Sequence, residues 1–404
     1  MRISTSMIFE MGTSNLNDLM SNISKTQEQI SSGLKIQTPS DDPVAAAAAL
    51  GVTQAISMNT QYGVNRQNAN DSLGQEESNL SSAVSLLTSV QSTVVAAGNG
   101  ALDDSQRQDY VTQLKSDLSQ LLGIANAKDS QGNYIFAGYQ TQSQPFTQTS
   151  TGATYSGDQG QRMLQVSPSR QMAISDSGAT VFEDNPTGNG YFVTAAGTGN
   201  TGTGIISQGS VSDMSQLNGQ TYTLTFSVDP STGDTTYLVN PPPTTPATPQ
   251  PFTSGDTITV GGAQFNITGA PADGDTFTVG PSTNQSVFTT LTNLINTLST
   301  SGEGAVNQTV MTNGLNAASA NITNALNNIA AVQASVGSRM NELDDLDSQG
   351  SDLNIQYTQT LSDLQDIDPV QAYSSLVQQQ YTLQAAQQSF VSISNLSLFN
   401  YLNT

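Results

Sequence analysis

The sequence predicts a mainly α protein with a β-rich insert, in which long coiled-coil-like helices from both ends of the chain form a bundle interrupted by a central β domain. Three observations carry this reading. Apolar residues recur by sevens towards both ends, as in Leu16, Ile23 and Ile30 and again in Leu315, Ile322, Ile329, Val336 and Leu343. Between about 151 and 283 that period gives way to alternation, as in TYTLTFSV, where Tyr222, Leu224, Phe226 and Val228 share one face of a strand. Helical periodicity then returns at about Ser286 and holds almost to the end, so the order is helix, helix, β insert, helix, helix.

Near the N-terminus the row Leu16, Ile23 and Ile30 is joined by a second row, Met20, Gln27 and Leu34, offset by four, which makes a two-row heptad seam. The breaker TPSDDPV follows, and Asp42 with Pro43 reads as an N-cap and first helical position. Leu73, Leu80, Leu87 and Val94 mark a long helix that stops at Gly98 and Gly100. Asp103 or Asp104 caps a further helix carrying Tyr110, Leu114, Leu118, Leu121 and Leu122 and ending near Lys128, and a β-rich run through Tyr134, Ile135 and Phe136 is expected after it.

DTITVGGAQFNITG and DTFTVG read as further strands, and the proline segment starting at Pro241 reads as an extended loop or spacer between strands. In the returning helix the heptad row is accompanied by Leu326, Met340 and Leu361. Asp368 with Pro369 starts the last helix, on which Val370, Tyr373, Leu376, Val377, Leu383, Phe390, Val391 and Leu398 fall on one face, interrupted by Gln380, Gln387 and Ser394. An apolar stripe of that length at a chain end needs a partner, and the N-terminal seam can supply it. Residues 1–42 with 365–404 are expected to form a terminal coiled coil, 43–150 with 284–364 a long-helix bundle, and 151–283 the β-rich part.

The chain has 404 residues and a formal net charge of -22, with 32 acidic against 10 basic residues, so neither nucleic acid nor an anionic membrane surface is an expected partner. No run reads as long enough to span a membrane, and the start MRISTSMIFEMGTSN lacks the apolar core and cleavage site of a secretory signal. A role outside the cell therefore implies export without a cleaved signal.

Histidine and cysteine are both absent, which removes the commonest general base, the common nucleophile pairs, disulfides and nearly all transition-metal sites. The adjacent acids Glu183 and Asp184 lie in a Gly/Pro-rich stretch and read as solvated. Gly197, Gly199 and Gly202 satisfy the G-x-G-x-x-G pattern, but no helix follows to receive a pyrophosphate, so the stretch reads as a flexible turn without an anion site. Asp345, Asp347 and Gly350 echo a calcium loop, yet Gln349 and Gln356 stand where acids are needed. No catalytic, cofactor-binding or metal site is expected.

QISSGLKIQTPSDDPVAAAA, from Gln29 to Ala48, the start MRIST, and GSRMNELD, from Gly337 to Asp344, together resemble the flagellin-like family of bacterial axial proteins. Within it, NYIFAGYQTQSQPF and LQAAQQSFVSISNLSLFNYL are most similar to the branch found at the junction of hook and filament, and the ending SLFNYL sets the chain apart from flagellin proper. The resemblance covers both ends and not the middle. It implies a structural adaptor at that junction, extracellular on the flagellum, whose paired terminal helices form an inner tube layer while the β insert projects outward. It implies export in a largely unfolded state through the flagellar type III apparatus. The implied partners are further copies of the chain in a ring or helical assembly, a neighbouring hook-associated junction protein, flagellin, and an export chaperone on the C-terminal helix.

Assembly by coupled folding would pack Leu16, Met20, Ile23, Ile30 and Leu34 with Leu376, Leu383, Phe390 and Leu398 within and between subunits. A flagellin-type filament subunit, and a secreted adhesin acting through the β segment, are the alternatives.

Overall fold

Helices begin where capping chemistry puts them. Asp42 and Asp368 each precede a proline, and each Oδ1 accepts backbone N–H groups of the first turn, from Val44 and Ala45 at 3.1 and 3.0 Å and from Val370 and Gln371 at 2.9 and 3.2 Å. Proline at the first helical position forgoes an N–H that has no intrahelical partner anyway. Asp103 makes a capping box with Gln106.

The computed structural model describes residues 5–100, 102–242, 248–300, 302 and 304–402, with side chains from Ser6 to Ile393. The helices are α1 (Thr5–Ser32), α2 (Pro43–Ala97), α3 (Asp104–Ala125), α4 (Val287–Thr300), α5 (Ala305–Gln365) and α6 (Pro369–Leu402). The break between α4 and α5 falls at Gly302 and Gly304, the latter at φ +106, inside the stretch that reads as continuous in the sequence. The chain divides into two compact units, residues 1–64 with 346–404 and residues 65–345, and α2 and α5 each contribute to both.

In the larger unit the α2 row Leu73, Leu80, Leu87 and Val94 is buried as expected, and its companion row is Ala69, Glu76, Ala83, Val90 and Ala97. On α5 the row Leu315, Ile322, Ile329, Val336 and Leu343 is accompanied by Met311, Ala318, Ala325 and Val332, not by Leu326 and Met340, which are only half-buried. Companion residues therefore stand three positions after each row member. Small side chains at these positions let helix axes approach closely. The two helices run antiparallel, with Gln91 Nε2 donating to Thr323 Oγ1 and Gln333 Nε2 to Glu77 Oε1, both at 3.0 Å.

An 18-residue window of α2 has a mean hydropathy of 1.4, so by length and composition this helix could cross a membrane, contrary to the sequence expectation. Its apolar rows are instead buried inside the unit.

Helix α3 packs on α4. An aromatic cluster caps this pair: Phe182 meets Phe136 and Phe146 edge-on at 5.3 and 5.6 Å, and Phe288 lies 5.0 Å from Phe146. Ile135 and Phe136 form a turn and Tyr134 makes a single β-bridge with Lys128, in place of the expected β run. Ile135 and Phe136 are buried, and Phe136 O accepts the N–H of Gly178 and the hydroxyl of Tyr155, so the backbone bonds of this stretch go to loops.

The hairpins β1 (Phe146–Thr149) with β2 (Gly152–Tyr155) and β3 (Met163–Ser167) with β4 (Arg170–Ala173) precede the main β region. There β5 (Phe192–Ala196), β6 (Ile205–Ile206), β7 (Ser210–Val211), β8 (Tyr222–Val228), β9 (Thr235–Asn240), β10 (Gln250–Pro251), β11 (Thr257–Val260), β12 (Ala263–Thr268) and β13 (Thr276–Pro281) make two antiparallel sheets, ordered β10-β9-β8-β13-β5 and β11-β12-β6, with β7 also on β12. Alternation works as the sequence predicts: Tyr222, Leu224 and Phe226 face a core shared with Ile258, Phe265, Ile267 and Phe277. The proline segment follows β9, and its last residues, Gln250 and Pro251, form the edge strand β10 where a spacer is expected; residues 243–247 lie outside the described residues.

Two features escape sequence reading. Asn313, Asn321, Asn324 and Asn328 on α5 bond the backbone of the β region: Asn324 Nδ2 donates to the carbonyls of Pro186 and Gly188 at 2.7 and 2.9 Å, and Asn313 Oδ1 accepts from Ile206 N at 3.0 Å. The G-x-G-x-x-G stretch, expected to be a turn without an anion site, is wrapped on the chain's own carboxylate. Buried Asp275 accepts the N–H groups of Thr201, Gly202 and Ala272 at 2.8, 3.0 and 2.8 Å. A Cβ on Gly202 would lie 2.3 Å from Ala272 N, so glycine is needed there for close approach and not for a nucleotide.

Candidate assembly interface

The two ends of the chain meet in the smaller unit. Helix α1 ends at Gly33, whose φ of +75 turns the chain out of the helix. Residues on either side of that turn then bond the end of α5: Lys35 N donates to Gln365 O at 2.6 Å and Ile367 N to Gly33 O at 3.0 Å. From this bridge α1 and α6 run antiparallel. Thr26 Oγ1 donates to Gln379 Oε1 at 3.1 Å, and near the far end the Phe9 and Phe390 rings are 4.9 Å apart. A Cβ on Gly12 would come within 2.7 Å of the Phe390 ring, so the smallest residue makes room for the largest.

Leu16, Ile23 and Ile30 lie half-buried on the inner face of α1, and Leu376, Leu383 and Phe390 on that of α6. The second α1 row differs from expectation. Gly12, Leu19 and Thr26 occupy it, whereas Met20 is 49% exposed and Gln27 is exposed. Leu34 follows the end of α1 and pairs with Asp366 in a single β-bridge. On α6 the companion row is Ala372, Gln379 and Ala386, so the polar seam pair is Thr26 with Gln379, and Gln380 and Gln387 face outward. Leu398 lies on the last turns of α6, where its side chain is outside the described residues.

The apolar face of α6 is therefore split. Leu376, Leu383 and Phe390 turn inward, while Val370, Tyr373, Val377, Tyr381 and Val391 stand outward, with Tyr381 75% exposed. On α1, Met7, Ile8, Phe9 and Met11 are also exposed. These uncovered apolar side chains make this face the candidate interaction surface.

At the corner between α1 and α2, Lys25 Nζ pairs with Asp41 Oδ1 at 2.7 Å, and Asp41 Oδ2 accepts the N–H groups of Gln37 and Thr38 at 3.1 and 3.0 Å. The Lys25 ammonium first, and then these two donors, hold the Asp41 carboxyl well below the usual carboxylate range. The acids Glu183 and Asp184 lie far along the chain from this surface; burial first, and the Asp184 carboxylate second, raise Glu183. Asp345 and Asp347 are exposed on α5, which runs unbroken to Gln365 through the calcium-like stretch.

Residues 3–141 match the family described as bacterial flagellin N-terminal helical region. Flagellar hook-associated protein 3 of Salmonella typhimurium is 39% identical over 182 residues, a match that spans 45% of this chain and 57% of that protein. Flagellar hook-associated protein 3 of Escherichia coli is 28% identical over 99% of both chains. Among solved structures, hook associated protein-3 of Legionella pneumophila superposes with a TM-score of 0.73 at 31% identity, covering 78% of this chain and 98% of that one. With that identity held over nearly the whole of a solved relative and the same arrangement of long helices and central sheets, this chain belongs to the flagellar hook-associated protein 3 family.

Proposed function

We propose that this protein is a structural subunit at the junction of flagellar hook and filament, where it assembles by coupled folding of its terminal helices and allows the filament to grow. The observation that carries this reading is the antiparallel pair of α1 and α6, which joins the two ends of the chain while leaving Tyr373, Val377 and Tyr381 uncovered. An apolar face of this kind gains roughly 25 cal/mol for each Å² a neighbour removes from water. Further copies of the chain cover it, and a hook-associated junction protein and flagellin cover its two ends.

In this reading residues 1–42 with 365–404 line the tube, 43–150 with 284–364 form the bundle around it, and 151–283 form the outer β-rich part. The assembly interface comprises Leu16, Met20, Ile23, Ile30, Leu34, Leu376, Leu383, Phe390 and Leu398. Met20, outside the seam of its own chain, faces a neighbour. Before assembly the same surface is an aggregation hazard, so a dedicated export chaperone holds the C-terminal helix and the chain leaves the cell largely unfolded. The role is mechanical and involves no catalysis.

Electron microscopy of a strain lacking the gene, together with an assay for flagellin in the medium, tests this function. Hooks without filaments and flagellin lost to the medium are expected; intact filaments would contradict it.

A further inference from the structure

Glu76 occupies a position in the companion row of α2 that is otherwise Ala69, Ala83, Val90 and Ala97, and it is fully buried. Its Oε1 accepts the backbone N–H of Asp176 at 3.0 Å, and among the described residues no donor reaches Oε2. Asp176 is itself 5% exposed. Arg339 of α5 donates to Asp176 Oδ2 and, through Nη1, to Ala173 O at 3.0 Å, while Gln161 Nε2 donates to Asp176 Oδ1 at 2.7 Å. Two carboxyl groups thus share one guanidinium, and that guanidinium is already committed to Asp176.

Among the described residues the surrounding charges are engaged elsewhere. Glu77, next on α2, accepts from Gln333 of α5. Arg170 and Glu342 form a bidentate pair at 2.5 and 2.7 Å, Arg162 donates to Ser175 Oγ at 3.4 Å, and buried Arg66 donates to Val166 O at 3.2 Å. Ionising both carboxyls would leave an uncompensated negative charge in a buried seam, which is costly. A proton on Glu76 removes that charge.

We propose that Glu76, Asp176 and Arg339 form a proton-held latch that fastens the segment 161–176, with its β3–β4 hairpin, between α2 and α5, and that loss of the Glu76 proton opens it. Other ties of this segment, Asn65 Nδ2 to Gln165 O at 2.7 Å, Arg66 Nη1 to Val166 O at 3.2 Å and the Arg170–Glu342 pair, sit at the hairpin and do not replace the missing charge balance.

Burial first, and the Asp176 carboxylate second, push the Glu76 carboxyl from 4.5 up to about 8. Between those two values the closed state holds a proton that the open state releases. The latch is therefore at full strength below pH 4.5, weakens as pH rises through the window, and levels off above about 8.

Amide hydrogen exchange of the full-length chain at pH 6 and pH 9, corrected for intrinsic base catalysis, tests this. Opening of 163–176 should rise on the order of 100-fold between the two conditions while the α3–α4 pair stays unchanged. In Glu76→Gln, whose amide oxygen can still accept from Asp176 N, the rise should vanish. A wild-type segment insensitive to pH, or a variant as sensitive as wild type, would overturn the latch. Should Glu76→Gln fail to fold, carboxyl-carbon NMR of Glu76 in the wild-type chain decides: a midpoint at or above pH 7 is expected, and one below pH 7 overturns the proposal.

Discussion

The two units solve the burial problem differently. Every one of the largest fully buried side chains, from Leu73 through Phe288, belongs to residues 65–345, whereas the buried apolar residues of the smaller unit are Ile36, Ala49 and Ala372 among the described residues. The smaller unit instead exposes Met11, Leu50, Ile355, Val377 and Tyr381. A region with a closed core is stable by itself, and one whose apolar residues face outward draws stability from a neighbour by mass action. The larger unit thus holds a closed core, and the smaller one leaves much of its apolar surface uncovered.

The largest effect should come from breaking the inner seam of the terminal pair. Leu383→Asp with Phe390→Asp places two charges opposite the α1 row, and filaments should be lost from cells carrying only this double variant while the thermal transition of the larger unit is unchanged. Normal filaments would remove the distinction between the units. The reverse experiment is Phe182→Ala, which empties the aromatic cluster of Phe136, Phe146 and Phe288 and should cost the larger unit about 3–5 kcal/mol by denaturant unfolding.

Much of this contrast is legible in the sequence, because long heptad rows, Asp-Pro helix starts and strand alternation are local signals. The rows Leu73 to Val94 and Leu315 to Leu343 and the caps Asp42 and Asp368 stand where the pattern places them. The companion rows do not. On α1 and α5, larger residues at an offset of four, Met20 and Leu326, compete with Gly12, Thr26, Ala318 and Ala325 at an offset of three, and the small residues win because they allow close helix approach. An unbroken alternation of three and four through small residues was the available signal.

Other features have no local signal at all. The asparagines of α5 look like helix surface until the β-region backbone is laid against them, and Asp275 finds its loop from 73 residues away. Glu76 stands three positions after Leu73 and four before Leu80 and is buried together with them.

Smaller perturbations sharpen the comparison. Asn324→Ala leaves the carbonyls of Pro186 and Gly188 without their donor and should lower the stability of the larger unit by roughly 1–2 kcal/mol, read by denaturant unfolding, with filaments intact. The smallest effect is expected at Asp41, whose partner Lys25 is exposed to solvent. Because its carboxyl is held down by Lys25 and two backbone donors, its stabilisation is present above the ordinary value of 3.8 and persists until pH falls through the depressed one. Carboxyl-carbon NMR should find the Asp41 midpoint below 3.8, and Lys25→Ala should move it upward.

Completion of the terminal pair by assembly is tested by amide hydrogen exchange on the isolated chain and on assembled flagella. In the isolated chain α1 and α6 should exchange orders of magnitude faster than α2 residues 69–97, and the gap should close in the assembled state. Protection of α1 and α6 in the dilute chain equal to that of the larger unit would contradict the account.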